Sequence, residues 1–182
     1  MLSAVYFYQK KDTVGILTGW YSKYYSTADI TVHLPGGSLN LAVNRQDKVS
    51  AWKIYNQINT RIASVDFNED YDSFVNVNKS LYELFKVIRE ELANIPVEKI
   101  KDENNTLVDF YHDLLNKGIR PYLSRWHIPI SHYVEANKGD GKRSLLEIEK
   151  SFPQRQEMLK DMKAMNLRMK DYSAQLMKVI RS

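Results

Sequence analysis

One stripe near the C-terminal end constrains this chain more than any other feature of its sequence. Met158, Met162, Met165, Met169, Tyr172, Leu176 and Val179 are separated by 4, 3, 4, 3, 4 and 3 residues. This is heptad a/d spacing, and it predicts a long helix with one narrow apolar seam. Methionine fills the first four of the seven places, and its unbranched thioether adapts to irregular surfaces. Two expectations follow. Either the stripe closes an intramolecular bundle, or Met158, Met162, Met165, Met169, Tyr172 and Leu176 form a seam shared with a protein partner or with a second copy, as in a coiled coil.

The same helical period recurs upstream. Trp52, Tyr55, Ile58, Ile62 and Val65 fall at spacings of three and four and predict a first helix from about Asp47. An acidic loop, "DFNEDYD", separates it from a second helix marked by Phe74, Val77, Leu81, Leu84, Phe85, Ile88 and Leu92. Pro96 stops that helix, because the residue before a proline is disfavoured in helical geometry. In "TLVD" a hydroxyl precedes a carboxylate by three positions, which predicts a third helix starting near Thr106 and ended or bent at Gly118. "KGDGKR" (138–143) reads as an exposed loop, and "SLLE" (144–147) repeats the capping pattern at the start of the last helical segment.

The N-terminal region has a different period. In "DITVHLPGGSLNLAV" (29–43) Ile30, Val32 and Leu34 alternate with polar residues, a Pro-Gly-Gly turn intervenes, and Leu39, Leu41 and Val43 resume the alternation. That is the pattern of a β-hairpin. A lone hairpin is marginal, so it must pair with a further strand, for which 3–9 is the candidate, or lie on a helical surface. Residues 13–25 fit strand or helix. The expected fold is mainly α within an α+β class: an N-terminal hairpin or small sheet (1–45) packed on an antiparallel bundle of four to five helices (46–182), the two forming one structural unit.

Composition excludes several chemistries. The chain has no cysteine, which rules out disulfides, thiolate zinc sites and a cysteine nucleophile. The apolar runs "MLSAVYFY" and "VGILTGWY" are each too short to span a bilayer and are separated by "QKKDT". No signal-peptide order of charge, apolar core and cleavage site is present. The expectation is a protein without a transmembrane segment, cytoplasmic or peripheral to a membrane.

The net charge of +4 is unevenly placed, because residues 142–182 hold 10 Lys/Arg against 5 Asp/Glu. Lys160, Lys163, Arg168, Lys170 and Lys178 therefore offer an alternative reading, a basic helix face that binds nucleic acid or an anionic lipid surface.

The stretch "LLNKGIRPYLSRWHIPISHY" (114–133) concentrates prolines, arginines, a tryptophan and histidines. His127 and His132 are five apart, which does not place two ligands on one helical face. Proline suits the first turn of a helix, so "KGI-RP-YLSRWH" parses as helix stop, joint and helix start, an elbow between helices. The alternative is a ligand-binding or enzymatic site centred on Arg120, Arg125, Trp126, His127 and His132. No phosphate loop, nucleophile elbow or metal-ligand spacing is present, and no catalytic residue, cofactor or metal is expected.

Three blocks, "AWKIYNQINTRIA" (51–63), "SLYELFKVIREEL" (80–92) and "LLNKGIRPYLSRWH" (114–127), together with the closing "YSAQLMKVI" (172–180), resemble a family of uncharacterised bacterial proteins. In that family an N-terminal membrane-proximal segment and a short β region precede a helical bundle. The resemblance spans roughly residues 45–180. It implies that the RP/WH block belongs to the bundle framework, and it carries no activity. Lys10, Lys11 and Asp12 depart from the family's N-terminal pattern. The functional expectation is a non-enzymatic interaction or scaffold protein acting through its methionine-rich C-terminal helix.

Overall fold

A computed structural model describes residues 27–35, 37–61, 63–96, 106–139 and 141–182. The expected strand at 3–9 and the segment 13–25 lie outside the described residues. The fold is α+β as expected: among the described residues an antiparallel hairpin lies on a helical body.

Strands β1 (Ala28–Leu34) and β2 (Gly37–Val43) pair in the register Leu34↔Gly37 through Ala28↔Val43. Gly37 adopts φ +142°, a backbone conformation open to glycine and strained for other residues. The period-2 pattern sorts the side chains as expected. Val32, Leu41 and Val43 are buried beneath the hairpin, while Thr31 and Asn40 bond across its outer face at 2.7 Å. The hairpin rests on a helix, and its His33 N–H donates to Gln175 Oε1 at 3.0 Å.

Helix α1 (Arg45–Asn59) opens with a reciprocal cap in which Asn44 accepts from the Asp47 N–H and the Asp47 carboxylate accepts from the Asn44 N–H. Its buried face is Ala51, Ile54 and Ile58, which corrects the expected stripe. Trp52 is 50% exposed and stacks on Tyr55, the helix ends before Val65, and Ile62 lies outside the described residues. Two overlapping three-four stripes exist on this helix. The one led by the small Ala51 packs inward.

Helix α2 (Phe74–Ala93) buries Phe74, Val77, Leu81, Leu84 and Ile88 and stops before Pro96 as predicted. Helix α3 (Leu107–Asp113) starts at Thr106, whose N–H donates to the Asp109 carboxylate at 2.7 Å.

The chain then departs from the expected elbow. Leu114–Ile119 forms a π-helical segment that runs without a break into α4 (Arg120–Asn137). The Arg120 N–H bonds the Leu115 carbonyl five residues back. The wider turn accommodates Pro121, which has no N–H to donate and whose ring would crowd the carbonyl of Lys117 in regular α geometry. Gly118 is therefore not a helix stop. A Cβ at Gly118 would lie 3.0 Å from Tyr172 Cε2 and 3.3 Å from Leu114 Cδ1, so the glycine allows close helix approach.

A further correction concerns "SLLE". Ser144 and Glu147 do form a capping box, but the helix they start, α5 (Leu145–Lys150), gives way to a turn at Phe152-Pro153. The long helix α6 (Arg155–Arg181) begins after that turn. It is the central column of the fold, packed against α1, β1, the π segment and α4.

Candidate functional site

The methionine stripe lies inside this column. Met158, Met162, Met165, Met169, Tyr172, Leu176 and Val179 are each at most 1% exposed, closed over by the hairpin, α1 and the π segment. The expected surface seam of Met158, Met162, Met165, Met169, Tyr172 and Leu176 is thus packed within the single chain. The intramolecular alternative describes its position, because an amphipathic helix buries its apolar stripe against whichever complementary surface is nearest.

The five basic residues do not form an unbroken cationic face. Lys170 pairs with Asp66 at 2.7 Å, and Lys163 approaches Glu69 at 3.8 Å. Arg168 is half-buried, with a buried Nε that has no hydrogen-bond partner. Lys160 and Lys178 are exposed and close no ion pair among the described residues. The acidic loop, far away in sequence, folds against this side of α6.

The Arg120–His132 segment separates into two groups. Arg125 and Trp126 turn toward α6, where Arg125 Nη1 and Trp126 Nε1 donate to the same Asp161 oxygen at 2.9 and 2.8 Å, and Arg125 also pairs with Glu157. The Arg125 guanidinium lies 4.8 Å over the Trp126 ring. These two side chains brace α4 on α6, and His132 is exposed elsewhere on α4. The five residues do not converge on one pocket.

Arg120 and His127 do share a cleft. The extra residue of the π segment sets the register of α4 so that Ile119, Tyr122, Trp126, Ile130 and Val134 point inward. Arg120, Leu123, Ser124, His127 and Ile128 then face Tyr82 and Phe85 of α2 across a groove of about 270 Å³. The His127 ring stacks on Tyr82 at 6.2 Å, and the Arg120 guanidinium sits 5.5 Å over Phe85. Two large apolar residues rim the groove, Tyr82 at 59% and Ile128 at 61% exposed. Arg120 closes no ion pair among the described residues, and His127 Nδ1 is buried without a hydrogen-bond partner.

The sequence marked Arg120 and His127 but missed Tyr82, Phe85, Leu123 and Ile128. Phe85 reads as one member of a helical stripe and the other three carry no signal of their own, so only the packing of α2 on α4 brings the four side by side.

A second polar cluster lies where α1, α2 and α3 meet. Ser50 Oγ is 3.1 Å from Glu91 Oε2 and 3.0 Å from the Tyr111 hydroxyl, while Lys53 donates to Glu91 Oε1 at 3.0 Å. Burial pushes the Tyr111 phenol well above its ordinary value. Every group in the cluster is bonded to another, so it reads as a tie between helices.

Among the described residues no group of three or more His, Asp or Glu side chains could hold a metal ion, and no helix is long and apolar enough to cross a membrane. Comparisons of the chain with protein-family models, with curated proteins and with solved structures return no match.

Proposed function

We propose that this chain is a non-enzymatic interaction protein that holds its partner in the groove between α2 and α4 rather than along the methionine stripe. The observation that carries this reading is the pairing of an exposed apolar rim, Tyr82 and Ile128, with an arginine, Arg120, that closes no ion pair among the described residues. Solvent-exposed apolar residues grouped around a cleft favour association, and a lone guanidinium beside them selects a partner with an adjacent carboxylate.

The groove's size supports a side-chain anchor over a metabolite. At about 270 Å³ it falls below the roughly 300–1,000 Å³ typical of small-molecule sites, yet it suits one aromatic or branched side chain. The occupant is therefore an apolar side chain next to an acidic one, presented by a protein.

The test uses 1-naphthalenesulfonate, an aromatic anion, titrated into protein labelled at its Ile and Leu methyls. Saturable shifts confined to Leu123 and Ile128, lost in Ile128→Asp and weakened in Arg120→Met, are the expected result. Shifts scattered over the surface, or none, would overturn the reading.

A further inference from the structure

The acidic loop between α1 and α2 carries the counterpart of this groove. Tyr71 is 81% exposed, the most exposed large apolar side chain among the described residues, and it stands between Asp70 and Asp72. Its ring leaves an apolar face in water that a partner could cover.

The loop holds Tyr71 out rather than letting it collapse. Asn68 organises the tip: its Oδ1 accepts the Asp70 N–H at 3.0 Å and its carbonyl accepts the Tyr71 and Asp72 N–H groups at 3.3 and 2.8 Å. The Asp72 carboxylate in turn accepts from the Asn68 N–H at 2.8 Å. Below the tip, Phe67 stacks on Phe74 at 4.5 Å, Glu69 pairs with Arg155 at 2.8 Å, and Asp66 pairs with Lys170. Such bracing lowers the ordering cost of binding.

Charge follows the same logic. Glu69 and Asp66 are engaged by bases, and Asp72 by the backbone. Asp70 shares a shallow cleft with Lys150 and Arg155 yet closes no ion pair among the described residues. The loop thus presents an exposed aromatic ring beside an available carboxylate, and the groove presents an apolar slot beside an available guanidinium. Within one chain the two stay apart, since Tyr71, Tyr82 and Ile128 all remain exposed.

We infer that the partner held by the α2–α4 groove is a second copy of this chain, which inserts Tyr71 between Tyr82 and Ile128 and sets Asp70 against Arg120. This rests on the groove reading above. Two such insertions related by a two-fold axis close a dimer and leave no open end for further growth. The contact is small, so association is weak and reversible.

Sedimentation velocity over a concentration series tests the inference, with circular dichroism to confirm that each variant is folded. The expected result is a monomer–dimer equilibrium abolished by Tyr71→Ala and by Ile128→Asp. Asp70→Arg and Arg120→Asp should each weaken it about fivefold, and the double variant Asp70→Arg/Arg120→Asp should recover it. Because Tyr71 and Asp70 are exposed, their replacement leaves the fold intact.

Dimerisation of Tyr71→Ala at the wild-type level would overturn the inference, as would a wild-type chain that stays monomeric at its highest soluble concentration. The naphthalenesulfonate titration separates the two levels. A monomer whose Leu123 and Ile128 methyls still respond keeps the groove and removes the second copy as its occupant. A monomer without that response removes both.

Discussion

The carboxylate of Glu149 lies 2.8 Å from the backbone nitrogen of Phe74, at the first turn of a helix that starts 75 residues earlier in the chain. It also accepts from Ser73 Oγ at 2.8 Å and from the Val75 N–H at 3.0 Å, and Glu149 is buried. Helix α2 has no acidic residue in its own first turn. Six-residue α5 supplies one, satisfying orphan N–H donors and placing negative charge at the positive end of the helix dipole.

Replacing Glu149 by Ala strands two backbone donors and a hydroxyl in a buried site. The expected loss is about 3 kcal/mol, since each buried unsatisfied group costs roughly 1–3 kcal/mol and water entry recovers part. Glu149→Gln, which keeps an acceptor oxygen but adds donors facing donors, should lose less than the alanine. Urea midpoints for the two variants check the order, and equal midpoints for wild type and Glu149→Ala would contradict it.

Gly118 gives the π segment its close approach to α6. The Tyr172 hydroxyl donates to Asp113 Oδ2 at 2.6 Å beside it, fixing the ring against which a new Cβ would press. Gly118→Ala gains helix propensity of about 1 kcal/mol, but overpacking costs about 1–3 kcal/mol. The net expectation is destabilisation. Gly118→Leu should abolish cooperative unfolding, a difference that thermal melts of the two variants resolve.

Three buried phenols set an alkaline limit. Tyr111, Tyr122 and Tyr172 all have pKa values raised by burial; the Tyr111 hydroxyl is bonded to Ser50, and that of Tyr172 donates to Asp113. Since the folded values exceed the unfolded value near 10, the folded state holds more protons above that pH. Stability is then fully present below about pH 10 and falls above it, by up to about 1.4 kcal/mol per pH unit for each phenol. Tyrosinate absorbance at the three sites should rise together with loss of helical circular dichroism. Early ionisation of all three phenols in a still-folded chain would contradict this.

Met165 sits in the middle of the central column with no exposed surface. Met165→Ala should cost about 2–5 kcal/mol by leaving a cavity. A chain ending at Asp140 loses the whole column and should show no cooperative unfolding transition. A folded monomer from that truncation would mean that α1–α4 make their own core.

Arg125 and Trp126 share one oxygen of Asp161. Asp161→Ala should cost about 1–3 kcal/mol, because a buried indole N–H loses its acceptor. Groove binding should be unaffected, because neither side chain lines the groove. Naphthalenesulfonate titration of the folded variant checks the separation.

Local periodicity and caps made much of the fold legible. The alternation at 29–43 specified the hairpin and its buried face, the pairs Thr106/Asp109 and Ser144/Glu147 marked helix starts, and Pro96 marked a stop. The 4-3 stripe specified the long helix and its apolar side. These signals act within a few residues, where backbone geometry and side-chain spacing decide the outcome. What the stripe faces is a different matter, because a heptad seam is equally compatible with a second chain and with the protein's own hairpin and α1. In the folded chain it lies against the hairpin, α1 and the π segment.

The same distinction explains the remaining corrections. Ala51 rather than Trp52 faces inward, and two overlapping three-four stripes on one helix leave that choice to the surface it meets. Pro121 and Gly118 read as an elbow, but the packing of Gly118 on Tyr172 and the widened turn before Pro121 keep the helix continuous. Arg120 and His127 share a cleft only because α2 brings Tyr82 and Phe85 to them. Local spacing specified the hairpin, most helices and most apolar faces, but neither the inward face of α1 nor the continuity of the helix through Gly118. Which faces met depended on the shapes of both surfaces, because those contacts join residues far apart in the chain.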